Sequence, residues 1–504
     1  MNAEEFRKFA HEAVDAAVDY MENINDRPVR PAVEPNYLRD LLPQQPPAKP
    51  ENFQTVIDDF NRVIMPSMTH WHSGKFCAYY PTGFSYPSLL GEIYTAMLAT
   101  NGFNWLNGPA ITELEYLTME WMAKMLDLDA AYYSGDGRGI IQGSASEAVF
   151  MTIVAAKNRT IKALQAKDPS VDPWEAATKL IAYGSDQTHT CTEKAAKIMG
   201  LRFRALPTDD TCVLKAETLR RAVDEDQAQG LVPFFVTATF GTTSTASIDD
   251  IPGIVDTARQ FGIWSHIDAA YAGSALVCPE FRPLAGGING ADSFSVNLHK
   301  WLLVHFDCTC LYIKDKQALK DAIAITPSYQ QYKELVSGAV ENLCDYQISL
   351  GRRFRALKVW FTIRSYGISG IQKFIRGHID LITHFKSQVE ADGRFEIMNK
   401  VHFNLICIRI KPEYCQIAAA SPAADPVALT NLANSRLVDL INASGVFLIK
   451  SDLHGKVIIR VVIGTYKSDM LSTDFIWSVI KRCTDEVLAP TICATTVSVT
   501  NEAA

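Results

Sequence analysis

The stretch Ser293–Phe306, SFSVNLHKWLLVHF, sets one lysine, Lys300, among residues that favour burial. An ammonium buried without a partner costs several kcal/mol, so a lysine in such company needs a use. Either its head group reaches water, or its amine works in the neutral form. A buried lysine with a lowered pKa is what imine-forming chemistry needs. The stretch reads as two short strands with Lys300 caught between them.

Three other patterns match that chemistry. In HIDAAYAGS, residues 266–274, Asp268 closes an apolar strand and small residues follow. Small residues let a flat ligand approach the backbone, and α/β folds bind ligands at strand C-termini. Taken alone, Asp268 reads first as a cap for the next element. In GIIQGSASEA, residues 139–148, a glycine precedes Ser144-Ala145-Ser146-Glu147, which has capping-box spacing and leads into a long helical pattern. Helix-start N–H groups, two hydroxyls and the positive end of a helix dipole suit a phosphate. In SDQTHT, residues 185–190, His189 follows a strand and can lie flat over an aromatic ring. An imine-forming lysine, a phosphate cradle, a carboxylate for a pyridinium nitrogen and a ring-stacking group form the minimal set for pyridoxal 5'-phosphate (PLP).

These residues need a scaffold. From residue 129 to about 312, short β-rich runs (LIAYGS, RFRALP, PFFVTATF, IWSHID, SFSVN, CTCLYIK) alternate with helical stretches near 144–168, 214–228 and 250–261. That alternation predicts an α/β fold with a mostly parallel sheet covered by helices. Helical periodicity also covers residues 1–26, 52–65, 86–128 and 348–395. The C-terminal part mixes strands (NLICIRIK, GVFLIKS, KVIIRVVIG) with helices at 427–443 and 470–487, as in a small α+β domain.

The net charge of −8 gives no reason to expect a nucleic acid or an anionic membrane as partner. The amphipathic N-terminus has no apolar core of a signal peptide, and no apolar run is long enough to span a bilayer. Eleven scattered cysteines, an odd number, read as thiols of a reducing compartment, the cytosol. Cys308 and Cys310 share a strand face without a second ligand pair, so they read as core fillers and no metal is expected.

The chain resembles the aromatic-L-amino-acid decarboxylases of the group II PLP-dependent decarboxylases. The blocks THWHSGKFCAYYPT, GFNWLNGPAITELE, IIQGSASEA, SDQTHT, ATFGTTSTA, HIDAAYAGSA, NLHKWLLVHFDCT and LGRRFRALKVWF carry the likeness, in family order. The resemblance implies that Lys300 holds PLP, that Asp268 pairs with its ring nitrogen beside Ala270, and that His189 stacks on the ring. It implies Ser144, Ala145, Ser146, Asn297, His299 and Thr243 around the cofactor. It implies Tyr79, Tyr80, Thr82, Phe84, Phe103, Trp105 and Gly351 on the substrate side, Phe103 coming from a partner subunit. Tyr329, in the loop TPSYQQYKELVSGAVENLCDY (326–346), is the implied proton donor to the substrate's α-carbon, with Tyr332 as an alternative. The implied architecture is the fold-type I, aminotransferase-like homodimer with a seven-stranded sheet. Its parts are an N-terminal helical dimerisation segment (1–85), a PLP-binding α/β domain (86–360), a small α+β domain (361–488) and a flexible tail (489–504).

The expected reaction is decarboxylation of aromatic L-amino acids such as DOPA, 5-hydroxytryptophan, tryptophan or tyrosine to arylalkylamines and CO2. The alternatives are an aromatic acetaldehyde synthase, a decarboxylase of another amino acid such as histidine, glutamate or cysteine sulfinate, and an idle PLP binder. The resemblance puts Phe for the loop tyrosine, or Asn for the stacked histidine, in the aldehyde synthases; Tyr329 and His189 therefore favour plain decarboxylation. Gly351 stands where histidine and plant-type tyrosine decarboxylases tend to carry Ser, and leaves more room. The sequence departs from the family pattern at Leu298 for proline, Arg138 for glycine, Gly83-Phe84 for two small residues, and Asn101 and Asn104.

Overall fold

The computed structural model describes residues 1–325, 327, 331–418 and 425–489. The chain divides into two compact units, one of Thr82–Asp380 with Ile397–Ile406, the other of Met1–Pro81, Leu381–Glu396 and Cys407 onward. No helix among the described residues is long and apolar enough to cross a membrane.

The larger unit is built on seven strands: β1 Arg138–Gln142, β2 Leu180–Ser185, β3 Arg202–Leu206, β4 Val232–Thr239, β5 Trp264–Asp268, β6 Ser293–Asn297 and β7 Thr309–Ile313. Their order is β1-β7-β6-β5-β4-β2-β3. The neighbours from β3 to β6 are parallel, and β7 is antiparallel to both β6 and β1. Every residue of β2, β5, β6 and β7 is buried. A sheet covered on both faces has no polar side, so these strands read as near-continuous apolar runs. The helix Ala145–Lys167 buries Val149 and Ile153 in a core with Leu180, Phe235, Trp264 and Leu311.

Three expectations of local structure need correction. The run Trp301–Phe306 is not a strand. A helical turn, Leu298–Trp301, follows β6, and β7 begins only at Thr309. The polar backbone of His299–His305 bonds in part to residues 83–88. Gly83 N–H donates to the His299 carbonyl (2.7 Å), Ser85 Oγ to the Leu303 carbonyl (2.7 Å) and His305 N–H to Ser88 Oγ (2.9 Å). A Cβ at Gly83 would lie 2.3 Å from the Val304 carbonyl oxygen, so only glycine allows this close approach. The helical stretch 86–128 is two helices, Tyr86–Leu98 and Pro109–Met125. The first stops at Ala99, which has φ 47°, and the second starts at a proline that cannot continue a preceding helix. Finally, β1 forms where no strand was expected, because a five-residue segment with a glycine shows little periodicity.

A second sheet consists of β8 Phe395–Ile397, β9 Leu405–Ile410, β10 Ile449–Leu453 and β11 Lys456–Val462, ordered β10-β11-β9-β8. The β10–β11 hairpin turns through His454 (φ 51°) and Gly455 (φ 78°), the two positive φ values that a tight two-residue turn requires. The helix Ala3–Glu22 starts at a capping box between Asn2 and Glu5. It buries only Met21.

Candidate functional site

Parallel strands bring the candidate residues to one edge of the sheet. Asp268 is the last residue of β5, and its register partner on β6 is Ser295. Two residues after Ser295, β6 ends at Asn297, and the helical turn that follows carries His299 and Lys300. Thr243 follows β4 and His189 follows β2. The carboxylate of Asp268 is buried and accepts the Ala270 N–H (3.0 Å). The Ala270 carbonyl in turn accepts the Asn297 N–H (3.0 Å). These two bonds tie the ends of β5 and β6 together.

Electrostatics link the same groups. Burial lowers the pKa of the Lys300 amine, and the charge of Asp268 opposes that shift. His189 Nδ1 accepts the Cys191 N–H (3.2 Å), so a neutral ring carries its proton on Nε2. His189 keeps an exposed face, yet the packing around the rest of the ring lowers its pKa; Asp268 opposes the shift and Lys300 adds to it. His299 Nδ1 accepts the Cys308 N–H (2.8 Å), and burial first, then Lys300, brings its pKa down to about 4. Asn297 Oδ1 accepts the Thr309 hydroxyl (2.7 Å). One polar atom of each side chain is thus held by the protein.

Ser144 is the N-cap of the helix Ala145–Lys167 and accepts the Glu147 N–H (3.2 Å). Glu147 reaches back to the N–H of Gly143 (3.0 Å), one residue earlier than the capping-box spacing predicts. The first-turn N–H groups of Ala145 and Ser146 have no partner within the helix. Gly143, Ser144, Glu147, Asp307, Gly351 and Arg355 line a cavity of about 290 Å³. Arg355 grips Asp307 with two bonds, Nε to Oδ1 (3.1 Å) and Nη2 to Oδ2 (2.9 Å). Sequence reasoning missed Arg355. The signal was available in the arginine-rich LGRRFR, one of whose arginines faces this cavity.

The substrate-side candidates divide between the units. In the larger unit, Phe84 is buried against Tyr86 and His305, with ring centroids 5.4 and 4.9 Å away. Thr82 and Phe103 are half-buried, and the Trp105 indole N–H donates to Glu113 (2.8 Å). In the smaller unit, Tyr79 has φ 54°, a conformation rare for a bulky side chain. Its exposed ring stacks on Trp71 at 5.7 Å, and Tyr80 lies under the Arg460 guanidinium at 5.4 Å. Tyr329 lies outside the described residues. The Tyr332 hydroxyl donates to Asn342 Oδ1 (2.6 Å).

The donor set fits PLP. A helix start with two hydroxyl residues suits its phosphate, Asp268 its cationic ring nitrogen, the depressed Lys300 amine its carbonyl carbon, and the open His189 face its flat ring. Comparison with known proteins agrees. The model of the pyridoxal-dependent decarboxylase conserved domain matches residues 35–411.

The chain belongs to the pyridoxal-dependent decarboxylase family.

This decarboxylase is 41% identical over 492 residues to the mouse (Mus musculus) protein named aromatic-L-amino-acid decarboxylase, covering 97% of this chain and 99% of that one. It is 39% identical over 491 residues to the Petunia hybrida phenylacetaldehyde synthase, covering 96% and 94%. The crystal structure of Oryza sativa TDC with PLP and tryptamine superposes with a TM-score of 0.92 at 35% identity, covering 97% and 99%. The family is an enzyme family, and its cofactor is PLP.

Three histidines near the site make the decarboxylase acid-sensitive. Burial lowers His266, His299 and His305 from 6.5 to about 4. His266 is held neutral between Ser293 Oγ (2.9 Å) and Ser295 Oγ (3.2 Å). As pH falls from 6.5 towards 4, the unfolded chain binds protons that the folded rings refuse, so stability present above pH 6.5 declines through this window. Each of the three rings is expected to add about one proton to the net uptake on unfolding there. Calorimetric unfolding of the wild type and of His266→Gln in buffers of different ionisation enthalpy measures one ring's share, and an unchanged uptake in the variant contradicts the reading.

Proposed function

We propose that this decarboxylase removes the carboxyl group of aromatic L-amino acids, giving arylalkylamines and CO2. One observation carries the proposal: Lys300, Asp268 and His189 lie at the C-terminal edge of parallel strands, where burial lowers the Lys300 amine and the His189 ring and the charge of Asp268 opposes both shifts. The names of the mouse and rice relatives support the aromatic side chain. When bound, PLP supplies an electron sink for the bond that breaks at the substrate's α-carbon.

The protein's own groups divide the remaining work. A neutral Lys300 amine is nucleophilic and would hold the cofactor. Asp268 would keep a proton on the ring nitrogen. Ser144, Ala145 and Ser146 would bind the phosphate through first-turn N–H groups and hydroxyls, with Asn297, His299 and Thr243 beside them. His189 would lie flat on the ring, with Ala270 packing near it. The proposed substrate-side residues are Thr82, Phe84, Phe103, Trp105 and Gly351 in the larger unit and Tyr79 and Tyr80 in the smaller. Tyr329 is the proposed donor of a proton to the α-carbon. The Asn342 bond that occupies the Tyr332 hydroxyl favours Tyr329 over its neighbour.

The working form is proposed as a homodimer. Leu90, Ile93, Tyr94, Met97 and Leu98, each at least 45% exposed, form an apolar stripe on the helix Tyr86–Leu98. Phe6, Val14 and Val18 are exposed on the helix Ala3–Glu22. Residues 1–85 would serve dimerisation, 86–360 cofactor binding, and 361–488 would form the small domain; the proposed tail beyond 489 lies outside the described residues. Ile93→Glu with Met97→Glu is expected to raise the dimer dissociation constant by about 30-fold or more. Light scattering across a dilution series checks this, and an unshifted dimer counts against the interface. Buried thiols such as Cys77, Cys308 and Cys310 suit the reducing cytosol, the proposed location.

A second reading, an aromatic acetaldehyde synthase, is favoured by the petunia relative. That reaction consumes dioxygen and water and releases aldehyde, CO2, ammonia and hydrogen peroxide. The test is product analysis with DOPA, 5-hydroxytryptophan, tryptophan and tyrosine. Equal yields of CO2 and amine are expected; peroxide with aldehyde in place of amine moves the assignment to the synthase.

A further inference from the structure

We propose that Asn101 is a positioning residue that couples residue 351 to Phe103, so that a side chain at 351 alters substrate choice through Asn101. The inference deepens the reading of the site given above and rests on it. A Cβ added at Gly351 would have the Asn101 carboxamide as its nearest neighbour, 3.3 Å from Nδ2 and 3.5 Å from Oδ1. The same carboxamide accepts the Arg352 N–H through Oδ1 (2.9 Å). The Arg352 carbonyl accepts the N–H of Gly102 (3.1 Å), the residue before Phe103. Two bonds therefore clamp the segment carrying Phe103 to the segment carrying Gly351.

Neither end of the clamp can yield. The Arg352 side chain is 1% exposed and pairs with Glu115, itself 1% exposed. It also donates to Gln347 Oε1 and to the Ile141 carbonyl (3.2 Å), while Glu115 accepts the Ile141 N–H (2.9 Å). Breaking such a buried pair is costly, so residues 351–352 keep their place on β1. On the other side, a Cβ at Gly102 would lie 2.6 Å from Ile111 Cγ2, so its backbone is packed tightly against the helix Pro109–Met125. The element left to move is the exposed Asn101 side chain. Turning it away removes the acceptor from the buried Arg352 N–H and loosens the hold on Phe103.

A double-mutant cycle of G351S and N101A tests this. The readouts are the ratio of kcat/KM for L-tryptophan to that for L-tyrosine, and binding of L-tryptophan methyl ester followed by cofactor absorbance. The ester has no free carboxylate to lose, so its binding is read without turnover. G351S is expected to change the selectivity ratio and the ester affinity about fivefold in the wild-type background and less than about twofold in the N101A background. N101D keeps an acceptor for the Arg352 N–H, so G351S in that background shows the full change again. Equal effects of G351S in all backgrounds overturn the inference and assign residue 351 a direct contact with substrate. If the wild type makes no amine from either amino acid, the decarboxylation reading fails instead, and the ester cycle still decides the coupling.

Discussion

Lys300→Ala is expected to abolish the visible absorbance of the bound cofactor and to lower amine formation by about four orders of magnitude or more. The reason lies in the state of the amine. Burial pushes its pKa down, towards the neutral form that can bond to a carbonyl carbon. Lys300→Arg separates nucleophilicity from charge, because a guanidinium stays protonated and cannot replace the amine. Both variants are therefore expected to be inactive, with circular dichroism like that of the wild type. Amine formation in Lys300→Ala within tenfold of wild type would remove the basis of the account.

Asp268→Asn is expected to leave the cofactor bound while slowing turnover by about a hundred- to ten-thousand-fold. The substitution keeps the shape of the side chain, including an oxygen for the Ala270 N–H. It removes the negative charge that favours the protonated form of both Lys300 and His189. It also removes the partner that would hold a proton on the cofactor's ring nitrogen. The effect should fall on kcat, with the cofactor's visible band retained. A variant that keeps near-normal kcat assigns Asp268 the plain capping role that its position at the end of β5 also allows.

Much of this site was legible because the chemistry sits at strand ends. IWSHID and SFSVN are buried parallel strands, so their apolar runs stand out, and each is followed within a few residues by the groups that matter. Lys300 attracted notice for the same reason that it works, a cation among buried neighbours. What escaped the sequence was set by long-range pairing. The Arg352–Glu115 pair joins residues far apart in the chain, and no periodicity marks either of them. The misread strand at Trp301–Phe306 is apolar enough for a sheet, but its backbone bonds go to residues 83–88. The Asn101–Arg352 clamp was likewise invisible: Asn101 stood out as a departure from the family pattern, but nothing in the sequence ties it to Arg352 or Gly351.

The most direct test of the central claim is borohydride reduction of the purified holoenzyme followed by peptide mass mapping. Reduction fixes a pyridoxyl group on whichever amine carries the cofactor. The account predicts the added mass on the peptide containing Lys300, and its absence from the Lys300→Ala protein treated in the same way. A pyridoxyl group mapped to any other lysine would contradict it.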